Sequence, residues 1–163
     1  NADIFIGLVG ENTYREEMKA FFLSLLPQTK VIAEENEGFE QITMSKILNE
    51  PNYDYIFYAH TKGVTKNRHG WRRTMTNGCI NRWRECLTAL ETHDTAGVHW
   101  LTKEKYPHVV TDSFYGGNFW WSRQDYLLTL PKLESNNRYE AEAWLGKSNP
   151  KAFDLDPGWP VDN

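Results

Sequence analysis

The stretch YIFYAHTKGVTK, residues 55–66, ends an apolar run on His60, Thr61, Lys62 and Gly63. An imidazole, a hydroxyl and an ammonium at consecutive positions can carry a proton and hold an oxyanion. Two other apolar runs end on polar groups. DIFIGLVG (3–10) is followed by Glu11 and Asn12, and KVIAEE (30–35) closes on Glu34, Glu35 and Asn36. In open α/β sheets, ligands bind beyond the carboxyl ends of the strands. Three polar strand ends therefore mark a candidate site. The basic stretch Lys62, Lys66, Arg68, Arg72, Arg73, Arg82 and Arg84 suits a small anionic ligand.

The elements that must position these groups read as follows. DIFIGLVG has the pattern of a strand buried on both faces. TYREEMKAFFLSLLP follows as a helix, with Thr13 and Glu16 at capping-box spacing and Tyr14, Met18, Phe21, Phe22, Leu25 and Leu26 at helical period. KVIAEE is a second strand. Residues 38–49 make a second helix, with Phe39, Ile42 and Ile47 inward, and YDYIFYA is the third strand. A β-α-β-α-β order with short connections predicts a parallel sheet covered by helices. Residues 67–91 read as one long helix, stepping through Trp71, Met75, Cys79, Trp83, Cys86, Leu87 and Leu90. TAGVHWL (95–101) and SFYGGNFWWS (113–122) read as two further strands. SRQDYLLTLP and NRYEAEAWLG read as short helices, opened by Ser122 and Asn137. The last stretch, NPKAFDLDPGWPVDN, reads as loop.

The 163 residues fit one domain, able to bury roughly 70% of its unfolded surface. Seven Trp, eight Tyr and eight Phe exceed what core packing alone asks for, and aromatic faces also stack on sugars and bases. A net charge of −4 argues against a nucleic-acid partner. No apolar run approaches the length of a membrane span. Cys79 and Cys86 fall about two turns apart on one helix, too far for a disulfide, and fit a reducing compartment. The chain starts on Asn rather than Met, which suits one domain of a longer polypeptide.

Several chemistries lack their signatures. The first turn has Gly7 and Gly10 but no G-x-G-x-x-G, and HTKGVTK does not fit G-x-x-x-x-G-K. The five His and two Cys show no zinc spacing, and G-x-S-x-G is absent.

Taken in order, IGLVG, YAHTKGV, WRR, DTAGVHW, GGNFWW and AEAWLG resemble the GT-A-fold glycosyltransferases, of the small kind found in chloroviruses and in bacterial surface-polysaccharide loci. The resemblance covers most of the chain. It implies a single α/β domain over 1–163, with a central, mostly parallel sheet and helices on both faces. Residues 1–66 would form the nucleotide-sugar-binding half and 67–163 the acceptor and catalytic half. Val9, Gly10, Glu11, Glu35, His60, Thr61, Lys62 and Arg72 would bind the donor, which is expected to be UDP-linked. Gly116, Gly117, Asn118 and Trp120 would border the sugar or the glycan acceptor, and Glu142, with Glu140 as its alternative, would be the catalytic base.

One departure from that family matters. Many of its members hold Mn or Mg on an Asp-x-Asp after the third or fourth strand. This chain has His60-Thr61-Lys62 there, so no metal ligand is assigned and a cation is expected to replace the metal, Lys62 with Arg72 or Arg73 meeting the diphosphate. Asp154 and Asp156 repeat the Asp-x-Asp pattern, but in a terminal stretch with no strand expected before it. The expected setting is cytoplasmic, that of a virus-infected host cell included. The rival expectation is a non-catalytic carbohydrate-binding module that uses a Trp-rich surface.

Overall fold

The computed structural model describes residues 2–50, 53–61, 69–108, 112–133 and 137–157. The chain divides into two compact units. Asn1–Pro51 with Lys132–Ala141 form the first, and Asn52–Pro131 with Glu142–Asn163 form the second.

The first unit is a β-α-β-α piece. Strands β1 (Phe5–Val9) and β2 (Lys30–Glu35) pair in parallel. Helix α1 (Asn12–Leu25) makes the crossover, and α2 (Gln41–Ile47) follows β2. Gly7 lets α2 come close, because a Cβ there would collide with the Thr43 side chain. The ladder shifts register between Ile6 and Gly7. Only Leu8 of β1 is fully buried, so the expected double burial is reduced to a half-buried strand. The apolar period of α1 likewise overstates its contact: Tyr14, Phe21 and Leu25 are exposed, and its one fully buried residue is Arg15. A two-stranded sheet is about 10 Å wide, no wider than a single helix with its side chains. It cannot cover the apolar faces of two. Phe39, expected on the inward face of a helix over 38–49, precedes α2 and is exposed, and the residues that α2 buries are Gln41 and Met44. The capping box at Thr13 and Glu16 does not form either: the helix begins at Asn12 behind an extended Glu11, and no side chain caps it.

The second unit holds a mixed four-stranded sheet in the order β3-β7-β4-β8. The members are β3 (Tyr55–Tyr58), β4 (Thr95–Gly97), β7 (Trp120–Arg123) and β8 (Ala152–Asp154). β7 runs antiparallel to both β3 and β4, and β8 runs parallel to β4. A short ladder joins β5 (Trp100–Leu101) to β6 (Phe114–Tyr115). The chain is thus α/β, but the expected mostly parallel central sheet is corrected. Apolar runs announce strands, not their partners, and β3 finds its partner in β7, far along the chain.

The long helix expected over 67–91 is three segments. These are α3 (His69–Met75), a π-helical segment Thr76–Asn81 and α4 (Trp83–Leu90). The Arg82 N–H reaches back five residues to the Asn77 carbonyl at 3.0 Å. The Trp121 indole N–H takes the Cys79 carbonyl at 2.7 Å, and a side chain bonding into the helical ladder is a physical cause of such a bulge. Around it lies the core: Met75, Cys79, Val98 and Phe119 on one side, Cys86, Ala89, Leu90 and Ala96 on the other, with Trp121 and Leu155 packed on both.

Helix α5 (Gln124–Leu127) follows β7 directly. Ser122 is a strand residue rather than a cap, its hydroxyl 3.1 Å from both the Asp94 and the Arg123 carbonyl oxygens, which share its single proton. Helix α6 (Arg138–Ala143) opens as expected, with Asn137 Oδ1 accepting from the Tyr139 N–H at 3.0 Å. Ala141, Trp144 and Leu145 are buried.

Cys79 and Cys86 are free and buried. Burial pushes the thiol of Cys79 up to about 12 and that of Cys86 to about 11. Both are therefore neutral thiols at pH 7, and the thiolate is the reactive form. In the native protein a dithiobis(nitrobenzoate) reagent should label neither on the timescale of minutes. Both should react in urea. Fast labelling of the folded protein would contradict this placement.

Candidate functional site

In the second unit, one corner gathers side chains from several of the sequence segments singled out above. β3 delivers His60 two residues past its end. The Tyr58 ring stacks on Trp120 at 5.2 Å, its cross-strand partner in the ladder, and on His60 at 6.2 Å. His60 Nε2 lies 3.1 Å from the Gly117 carbonyl oxygen. A carbonyl only accepts, so Nε2 carries the proton in this contact.

The Gly117 carbonyl belongs to a tight turn between β6 and β7. The Asn118 N–H closes it on the Tyr115 carbonyl at 2.9 Å. Gly117 has φ 93° and Asn118 φ 56°. Only glycine suits position 117, because a Cβ there would strike the Met75 sulfur as well as strain the backbone. At Gly116 the Trp71 ring sits 3.1 Å from where a Cβ would be. The glycine pair thus admits the protein's own α3 side chains. Asn118 is 1% exposed. Its Oδ1 accepts from the Trp120 indole at 2.9 Å, and its buried Nδ2 has no partner among the described residues.

A second left-handed residue lies beside this turn. His99, φ 63° and 3% exposed, separates β4 from β5, where the sequence suggested one continuous strand. Its carbonyl accepts from the Gly116 N–H at 2.8 Å, and its ring lies 5.3 Å from that of Trp71. Burial lowers its pKa, against the opposing charges of Asp154 and Asp156, so the imidazole is neutral at pH 7. Non-glycine residues in this region cost about 1–3 kcal/mol each and persist where the surroundings over-determine them.

What over-determines His99 is Asp154. The C-terminal stretch expected as loop contains β8, and Asp154 is its last residue. Asp154 Oδ1 accepts from the N–H groups of His99 at 3.0 Å and Asp156 at 3.1 Å, and Oδ2 accepts from Trp100 at 2.9 Å. Three backbone donors occupy most of the lone pairs of the carboxylate. That donor set does not fit a divalent cation, despite the Asp-x-Asp pattern, and Asp154 acts as a backbone clamp. Asp154→Ala should strand these donors at about 1 kcal/mol or more each. Its melting temperature should drop by about 6–12 °C, whereas a chelator should leave the wild type unmoved. Wild-type melting of the variant would contradict the clamp.

The other anticipated residues distribute as follows. Val9 and Gly10 close β1, where the Gly10 N–H donates to the Glu35 carbonyl at 3.0 Å; Glu11 and Glu35 are exposed. Thr61 is exposed, and Lys62 lies outside the described residues. Arg72 is exposed on α3, with Nη2 2.7 Å from His69 Nδ1. Glu140 and Glu142 are half-buried on α6. Trp120 is 1% exposed, so it supports Asn118 from beneath instead of offering its face to a ligand. The sequence reading named Trp71 only as a residue of the helical period and did not single out His99. A lone histidine carries no spacing signal, and the Asp154 clamp that explains it lies far along the chain.

A family model described as a domain of unknown function, DUF8361, matches residues 1–153. No curated protein and no solved structure matches the chain.

Proposed function

The chain belongs to the DUF8361 family, and we propose that it is a glycosyltransferase moving a sugar from a nucleotide-sugar, UDP-linked, to a hydroxyl of a glycan or glycoprotein. One observation carries this reading. YAHTKGV, WRR, DTAGVHW and GGNFWW are dispersed in sequence, yet His60, Trp71, His99 and the turn 116–118 touch one another in the second unit. Strained, over-determined backbone concentrates at functional sites.

On this reading the nucleotide binds at the carboxyl ends of β1 and β2, around Val9, Gly10, Glu11 and Glu35. Glu142 takes the proton of the acceptor hydroxyl. The acceptor oxygen bonds to the anomeric carbon as the bond from that carbon to the diphosphate oxygen breaks, and the nucleoside diphosphate leaves. Lys62 and Arg72 meet the charge that develops on it. The Asp154 donor set does not fit a divalent metal, and no step here uses one. Among the described residues, no helix is long and apolar enough to cross a membrane, and the free cysteines suit work in a reducing compartment.

The carbohydrate-module alternative needs tryptophan faces open to solvent. Among the described tryptophans, Trp83 is the one in the exposed range, at 37%, and the Arg84 guanidinium covers its ring at 4.4 Å. A thermal-shift screen separates the two readings. UDP or GDP at about 100 times its Kd should stabilise the protein by about 2.7 kcal/mol. Stabilisation by free glycans alone would replace the enzyme with a lectin.

A further inference from the structure

The first unit buries a cation that has no counter-charge among the described residues. Arg15 is 9% exposed, one turn into α1. Lys19–Glu34, Arg82–Glu85 and Arg123–Asp125 are ion pairs, whereas Arg15 has none with a described residue. Its Nη2 donates instead to two neutral amides, Asn36 Oδ1 at 2.9 Å and Asn12 Oδ1 at 3.2 Å, and its buried Nε has no partner among the described residues. A buried charge held only by neutral groups is costly to folding, so a site that retains one has another use for it.

Arg15 also decides which way the two amides face. A guanidinium has no acceptor, so only the oxygens of Asn12 and Asn36 can turn toward it. Their NH₂ groups must then point away, and both asparagines are exposed. Asn12 opens α1, where no side chain caps the first N–H groups. Gly10, φ 138°, makes the abrupt turn from β1 into that helix. The result is a set of outward amide and backbone donors, backed by a positive charge and flanked by the exposed carboxylates of Glu11 and Glu35, at the carboxyl ends of two parallel strands. Such a cluster holds oxygen anions.

We propose that Asn12, Asn36 and the first turn of α1, oriented and charged by Arg15, dock a phosphate group. This rests on the reading of the protein as a nucleotide-sugar enzyme and assigns the phosphate of the nucleotide to this point. The exposed carboxylates of Glu11 and Glu35 disfavour a bare anion but accept from ribose hydroxyls. UDP should therefore bind more tightly than inorganic pyrophosphate.

The test is Asn36→Asp, with Asn12→Asp as its companion, titrated with UDP, uridine and pyrophosphate. Each change turns an outward donor into a carboxylate while giving Arg15 a charged partner, so the fold should melt at or above the wild-type temperature. UDP affinity should fall at least 10-fold and that of uridine should hold. If wild-type UDP affinity persists in both variants, the phosphate site is wrong while the transferase reading stands. If pyrophosphate binds the wild type and Asn36→Asp abolishes it, but UDP-sugars are neither bound nor turned over, the site stands and the transferase reading falls. Absence of binding by both UDP and pyrophosphate to the wild type overturns the proposal.

Discussion

Glu142→Gln is expected to remove most sugar transfer, about 10²- to 10⁴-fold, with donor affinity and melting temperature close to wild type. The amide keeps the shape and hydrogen-bonding reach of the carboxylate and deletes only its basicity. The helix should tolerate the change, because α6 is anchored through Ala141 and, in the turn after it, Trp144 and Leu145, all buried, while Glu142 is half-buried. The Trp144 indole also donates to the Pro131 carbonyl at 2.7 Å, and the Tyr126 hydroxyl holds the Leu145 carbonyl at 2.6 Å. Glu140→Gln should cost far less activity. The reverse ranking would transfer the base to Glu140, and full activity in both variants would mean that neither carboxylate is the base.

Lys62→Ala should weaken diphosphate-containing ligands roughly 10- to 150-fold and spare the bare nucleoside. A charge-assisted hydrogen bond is worth about 1.5–3 kcal/mol, which converts to that range. Lys62 follows by two residues the His60 that contacts Gly117. On the proposed reading, Lys62 would supply a point charge where the glycosyltransferases that the sequence resembles carry a metal-binding Asp-x-Asp. Competition binding of UDP and uridine to the variant reads the difference directly. Equal losses for both would make Lys62 a structural lysine and leave the diphosphate charge to other groups.

Strands β1, β2 and β3 were legible because their apolar runs are short and bounded by polar residues, whereas β8 and the breaks that separate β4 from β5 and β6 from β7 were not. Strand partners were not legible either, since the β3–β7 and β4–β8 pairings join segments far apart in sequence and no periodicity encodes a partner. The apolar spacing of 67–91 announced a helix but not its π-segment, which follows a bond from Trp121 more than forty residues on. The glycine pair was singled out only as a border of the expected acceptor site; the close approach of Met75 and Trp71 to it was not legible. Arg15 stayed hidden among the charged residues of α1, because a sequence pattern that scores apolar faces assigns a buried arginine to solvent.

The most direct measurement is calorimetric titration of the intact chain with UDP, GDP and dTDP. A nucleotide-sugar transferase must hold its leaving group, and the polar ends of β1 and β2 are where this protein is expected to do so. Saturable binding of at least one of the three, with a Kd below about 1 mM (about −4.1 kcal/mol), is the predicted result. Absence of binding by all three at that level would contradict the account.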